Sequence, residues 1–171
     1  GMDPVEYFSK NKYAVVEKMI PPDVCKIVYN YFVLKACTNQ EFAEPNAPNL
    51  LYGPAPYLKG SYCDILAETL LAELEPQIKH VTQKNVAPSY SYSRVYITGE
   101  VLRPHTDRPS CQYSVTLNIG GAPWPISFGI HDESSTDNVY DKNKKVRRLN
   151  SITLNPGDGI VYSGEQLVHW R

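Results

Sequence analysis

The 171-residue chain has almost no charge imbalance, few thiols, few histidines and no long apolar run. Each shortage narrows what it can be. Lys and Arg number 17 against 18 Asp and Glu, a formal net charge of −1. That balance gives no general electrostatic case for binding nucleic acid or a membrane surface. No apolar stretch approaches the roughly 20 residues of a membrane span. Cysteine occurs four times, as Cys25, Cys37, Cys63 and Cys111, with no C-x-x-C pair and no signal peptide ahead of them. These read as free thiols in a reducing, cytoplasmic setting, although their even number leaves a disulfide open. No internal repeat and no second domain are visible. Gly1 ahead of Met2 is not a natural start and reads as a remnant of tag removal.

What is present suits a globular protein. Hydrophobic residues make up 42% and charged residues 20%, and the length fits one domain with a real core, residues 1–171. Tyrosine supplies 13 residues, clustered on segments with strand character, which points to sheet packing. The 14 prolines are scattered among periodic segments, so composition does not indicate disorder.

The chain divides into a helical first half, to about residue 87, and a β-rich second half, from about 88 to 171. Residues 12–19 read as a short strand. Pro21-Pro22-Asp23 then opens a helix to about Lys35, proline and an acidic residue both suiting a helix start. Its apolar positions Val24, Ile27, Val28, Tyr31 and Leu34 fall at helical spacing and predict a core-facing stripe. Residues 38–60, with Pro45, Pro48, Pro54 and Pro56, read as a long loop of the kind that is often functional. A second helix is expected from Ser61 to about His80, capped by Ser61 or Asp64 and interrupted or kinked at Pro76. Residues 89–96 alternate small and large side chains, the period of a half-buried strand. Further strands are expected at 112–119, 124–130, 146–154 and 159–162, the last two joined by the turn residues Asn155-Pro156-Gly157-Asp158. Helices followed by many short strands predict a mainly β protein with flanking helices (α+β), the helices packed on a sandwich or jelly roll.

The residues that can carry chemistry are His105 and Asp107, two apart, with His169 near the other end of the chain. On a strand, positions i and i+2 share a face, so both side chains could reach one metal from one side. Two neutral imidazoles and one hard carboxylate form the 2-His-1-carboxylate set of non-haem Fe(II) oxygenases, which leaves the opposite face of the metal open. His80 and His131 have no ligand partner at useful spacing. Arg108 reads as a solvated loop charge, with an anionic substrate as the alternative. Cys111 reads as a small packed residue, and the charged run 132–148 as a solvated hairpin, with a lid or acidic-substrate patch as the alternative.

Residues 94–107, Arg94-Val95-Tyr96-Ile97-Thr98-Gly99-Glu100-Val101-Leu102-Arg103-Pro104-His105-Thr106-Asp107, resemble the R-x-Y-x-x-G-x-x-L-x-x-H-x-D signature of 2-oxoglutarate-dependent Fe(II) oxygenases of the prolyl 4-hydroxylase type. Residues 155–164 and Val168-His169-Trp170-Arg171 resemble that family's P-G-D turn and distal-histidine strand, and residues 114–119 fit the strand between. The resemblance covers roughly residues 90–171. It implies a double-stranded β-helix (a cupin-like jelly roll) with the N-terminal helices on one face. It implies Fe(II) held by His105, Asp107 and His169, with 2-oxoglutarate and O2 at the remaining positions. The reaction would hydroxylate a substrate and release succinate and CO2. Tyr96 stands at the position whose hydroxyl often bonds 2-oxoglutarate. The family's far-carboxylate partner, a Lys or Arg, usually lies about ten positions past the distal His. Here Arg171, two past His169, is the candidate, since guanidinium suits a carboxylate clamp. More sequence beyond Arg171 is expected. Gly99 is explained by a turn.

Two other classes compete. A cupin-type metalloenzyme without 2-oxoglutarate usually carries three histidine ligands, against which Asp107 speaks. A non-catalytic jelly-roll binding module would keep the fold without the chemistry. The expected substrate is a small molecule or a peptide.

Overall fold

A computed structural model describes residues 1–39 and 60–171. Three helices come early: α1 (Pro4–Asn11), α2 (Pro22–Asn39) and α3 (Ile65–Thr82). The short strand β1 (Tyr13–Val16) lies between α1 and α2, and β2 (Ser61–Tyr62) precedes α3. Then come β3 (Tyr92–Ser93), a 3-10 turn at Pro109–Cys111, and β4 (Tyr113–Leu117). The chain closes with β5 (Ile126–His131), β6 (Tyr140–Asp141), β7 (Lys144–Ile152), β8 (Gly159–Ser163) and β9 (Val168–Trp170).

The strands form two main antiparallel sheets and a small ribbon. One sheet has the order β1-β8-β4, the other β6-β7-β5-β9, and β2 pairs with β3 alone. Strand β8 lies at the centre of the first sheet and is buried along its whole length. Its side chains alternate as a pleated strand requires. Val161 packs with Phe8, Met19, Ile20, Cys25, Leu74 and Val81 on the helical side. Ile160 and Tyr162 pack with Tyr13, Ile126, Phe128 and Leu154 on the other. The first sheet is therefore covered by helices on one face and by the second sheet on the other, as the pattern of helices followed by strands predicts.

Helix α3 begins where Asp64, not Ser61, caps it. The Asp64 carboxylate accepts hydrogen bonds from the backbone N–H groups of Leu66 (2.9 Å) and Ala67 (3.2 Å), satisfying donors that the first helical turn leaves unpaired. Its other oxygen accepts from Tyr31 (2.8 Å) and Lys35 (2.5 Å) on α2. One carboxylate thus starts one helix and anchors its neighbour. The helix runs on past Pro76 to Thr82.

Three expectations are corrected. The stripe on α2 does not face the core: Ile27 and Leu34 are 69% and 64% exposed, and Val24 and Tyr31 are exposed as well, while Val28 is 2% exposed. The buried face is Cys25-Val28-Phe32. Apolar residues nearly encircle this helix, so helical periodicity fits two faces. The Cys25 thiol, donating to the Ile119 carbonyl at 3.1 Å, lies on the face that packs. Helix α2 also continues through Asn39, past the expected end at Lys35. The remainder of the expected 38–60 loop lies outside the described residues, Gly60 excepted. Finally, residues 89–96 yield only the two-residue β3. The Ser91 N–H and hydroxyl both donate to the Glu68 carboxylate (2.9 Å each), which replaces strand pairing at that point. Helix α1, too short for its one buried residue, Phe8, to give a periodic signal, is unanticipated.

All four cysteines are free. Among the described residues, no helix is long and apolar enough to cross a membrane.

Asp64→Ala should destabilise the protein by about 2–3 kcal/mol in urea unfolding, from the lost cap and charge-assisted hydrogen bonds. Burial pushes this carboxyl up, but Lys35, Tyr31 and the Ala67 N–H outweigh it and hold it below its ordinary value of 3.8. A carboxyl lowered by folding stabilises above its unfolded value, about 4, and loses that contribution as pH falls through the folded value. The stability gap between wild type and variant should therefore narrow below about pH 4.

Candidate metal centre

His169 is placed by strand β9. On one edge β9 pairs with β5, with His169 opposite Phe128. On its other edge it pairs with the chain at 102–105. His105 and His169 exchange backbone hydrogen bonds of 3.2 and 2.9 Å, as do Leu102 and Arg171 at 3.1 and 2.8 Å. Three steps along one segment oppose two along the other, so Arg103 and Pro104 bulge opposite Trp170. Pro104 has no N–H to give to a ladder. The regular strand expected for His105-Thr106-Asp107 is therefore absent, and His105 forms only an isolated bridge. Both side chains still meet at the site. Asp107 is brought there by its own backbone N–H, which donates to the Gly164 carbonyl at 2.8 Å.

The three side chains converge. Their ligand-capable atoms all lie within 4.8 Å of one another. Asp107 Oδ1 is 3.3 Å from His169 Nε2 and 3.7 Å from His105 Nε2. His105 Nδ1 lies 2.8 Å from the Arg103 carbonyl, and His169 Nδ1 lies 3.0 Å from the Leu167 carbonyl. A carbonyl only accepts, so Nδ1 carries the proton in both rings. Both Nε2 atoms then present lone pairs toward a carboxylate oxygen. Three acceptors facing one another fit a cation between them, and carbonyl-anchored imidazoles are how metal-binding histidines are usually held. Burial, then the neighbouring His169, lowers the pKa of His105, which favours the neutral, ligating ring. Burial pushes Asp107 up, but the adjacent His169 imidazole and the hydrogen bond from Ser114 outweigh it and hold its carboxyl below the ordinary value.

Residues beyond the triad shape the centre. The Ser114 hydroxyl, on β4, donates to Asp107 Oδ2 at 2.7 Å. Gly164 packs against that same oxygen: a Cβ there would collide with Asp107 Oδ2 and lie 2.9 Å from both the Cys111 carbonyl and the Ser114 hydroxyl. The Tyr162 ring lies 4.8 Å from the buried His169 ring. Its hydroxyl is 3.3 Å from Thr116 Oγ1, and burial, followed by the charge of Asp107, pushes its pKa well up. None of these four has a signal in spacing: Ser114, Thr116 and Tyr162 read as strand residues, and Gly164 as a turn.

Tyr96 and Arg171 come together at the edge of this group. Trp124 packs edge-on against Tyr96 (4.8 Å) and lies under the Arg171 guanidinium (5.0 Å). Burial raises the Tyr96 pKa to about 12, against the opposing charges of Arg94 and Arg171. Burial lowers that of Arg171, and no carboxylate among the described residues pairs with it. Behind Tyr96, a buried ion pair joins Arg94 and Glu100 at 2.6 Å, and Glu100 also accepts from the Ile97 N–H. The pair spans the turn at Gly99, whose φ is 92°.

The other candidates lie elsewhere. His131 bonds Asp141 at 2.8 Å, and Arg108 is exposed. The Cys111 thiol donates to the Tyr90 hydroxyl at 3.0 Å rather than packing only with apolar groups. Residues 140–145 form a hairpin turned by Lys142 and Asn143, both at positive φ, and Arg147 pairs with Asp132, as expected for a solvated hairpin.

No protein-family model and no curated protein sequence matches the chain. Its fold is similar to a crystal structure of a Pseudomonas putida prolyl-4-hydroxylase, with a TM-score of 0.62 and 14% identity over 97% of this chain and 87% of that one. The chain therefore has a prolyl-4-hydroxylase-like fold.

Gly164→Ala should cost about 1–3 kcal/mol of stability, the usual penalty of overpacking. It should also weaken divalent-metal binding by displacing the Asp107 carboxylate. Thermal unfolding and Mn(II) titration measure the two effects.

Proposed function

We propose that this chain is a 2-oxoglutarate- and O2-dependent Fe(II) dioxygenase that hydroxylates a small-molecule or peptide substrate and releases succinate and CO2. The observation that carries this reading is the convergence of two carbonyl-anchored imidazoles and one carboxylate, with donor atoms within 4.8 Å. It is set in a fold similar to that of a prolyl-4-hydroxylase. A mixed nitrogen and oxygen donor set on one face suits Fe(II) better than a structural zinc. The two-sheet arrangement with helices on one side supports a double-stranded β-helix, with residues 1–171 as one oxygenase domain. The four unpaired thiols support a reducing, cytoplasmic setting.

His105, Asp107 and His169 would hold the metal. Bound there with 2-oxoglutarate, the iron supplies oxidative decarboxylation coupled to hydroxylation. The protein's own part is to bind and orient. Arg171 would receive the far carboxylate of 2-oxoglutarate; its lack of a carboxylate partner among the described residues and its stacking on Trp124 support this. It lies two residues after His169, just past the end of β9, where its backbone pairs with Leu102. The Tyr96 hydroxyl, which burial keeps protonated, is available to donate a hydrogen bond to the same anion. Phe128, Tyr162 and Trp124 line the surroundings with aromatic surface that excludes water.

Anaerobic titration with Fe(II) and 2-oxoglutarate should give a visible metal-to-ligand charge-transfer band that requires both. Asp107→Ala should abolish the band and 2-oxoglutarate-stimulated succinate release. Arg171→Ala should retain metal binding and weaken 2-oxoglutarate by about 10- to 100-fold, the loss of one or two charge-assisted hydrogen bonds. Absence of the band in wild-type protein would favour a non-catalytic binding module.

A further inference from the structure

The two oxygens of Asp107 have different environments. Oδ1 faces the Nε2 atoms of His169 and His105 at 3.3 and 3.7 Å. With the imidazole protons on Nδ1, neither ring donates to it. Oδ2 points the other way, accepts from the Ser114 hydroxyl at 2.7 Å, and is packed against Gly164. Ser114 has an alternative acceptor in the Cys111 carbonyl at 3.5 Å, and the much shorter bond goes to the carboxylate.

Ser114 is itself rigidly placed. It lies within β4, in register with Tyr162 of the central strand β8. The carboxylate it holds is fixed from the other end, through the Asp107 N–H bond to Gly164. Rotation of the carboxylate would break the serine bond and drive an oxygen out of the niche that the absence of a Cβ at Gly164 creates.

We infer that Ser114 is a positioning residue that makes Asp107 a one-oxygen metal ligand. The inference rests on the metal-site reading above and adds a specific consequence. A carboxylate can bind a metal through one oxygen or both. With three single-atom protein donors, a six-coordinate ion keeps three open positions, enough for a chelating 2-oxoglutarate and one further ligand. With both oxygens of Asp107 bound, one of those positions is lost. A hydrogen bond that engages Oδ2 keeps that oxygen from the metal, so Ser114 sets the number of open positions.

The test uses Co(II) as a spectroscopic probe, with Ser114→Ala and Ser114→Thr beside the wild type, all checked for folding by circular dichroism. Ser114→Ala removes one oxygen and keeps the Cβ. It should bind Co(II) about 10- to 100-fold more weakly, the usual effect of losing a group that orients a ligand. Its visible d–d bands should differ from wild type, and the change on adding 2-oxoglutarate should be reduced. Ser114→Thr, which keeps a hydroxyl, should restore the wild-type spectrum. An alanine variant with wild-type Co(II) affinity and spectrum would overturn the role of Ser114 while leaving the metal site standing. Wild-type protein that binds no Co(II) would overturn the metal-site reading, and this inference with it.

Discussion

Backbone pairing along both edges of β9 is the constraint on which the rest of the site depends. That three-residue strand carries His169 and leads directly into Arg171. One edge is hydrogen-bonded to β5, which seats His169 against Phe128 in the core. The other is bonded to the chain at Leu102 and His105, which delivers the second imidazole. Because these are main-chain bonds, the two histidines are aligned before any side chain chooses a rotamer. The bulge at Arg103-Pro104 then turns the chain so that Asp107 approaches from a different direction.

The centre is built of acceptors that repel one another in the absence of a cation. Such an arrangement persists only when its surroundings over-determine it. Here each acceptor has a fixed anchor: two backbone carbonyls for the imidazoles, a hydroxyl and a glycine niche for the carboxylate. The buried side chains around them form one aromatic group, Tyr13 stacked on Phe128 and Tyr162 edge-on to it, that belongs to the core between the sheets. Core packing and the geometry of the triad are thus parts of one object, and the tolerance for change around His169 should be small.

Part of this was legible in the sequence. The triad His105, Asp107 and His169 was visible as residue types in a pattern, and the structure brings the three together. The Asn155-Pro156-Gly157-Asp158 turn follows from turn chemistry, and the strands near 113–117, 126–131 and 159–163 lie within or close to the expected 112–119, 124–130 and 159–162. The apolar stripe on α2 was misread, because a helix with apolar residues on most sides offers two faces at the same period. Only contact with the Ile119 carbonyl and the sheet selects Cys25-Val28-Phe32. The strand expected at 89–96 dissolved because Glu68, distant in sequence, takes the hydrogen bonds of Ser91.

The sequence by itself determined which groups could carry chemistry, since ligand type is a property of individual side chains. It also determined the broad succession of a helical part followed by a β-rich part, since periodicity is local. The tertiary structure alone decided how those groups are aimed. The protonated nitrogen of each histidine, the carboxylate oxygen left bare, the meeting of Arg171 with Trp124 and Tyr96, and the niche at Gly164 all arise from contacts between segments far apart in the chain. No spacing rule encodes such contacts, because they depend on where each strand lies in the sheet rather than on the residues beside it.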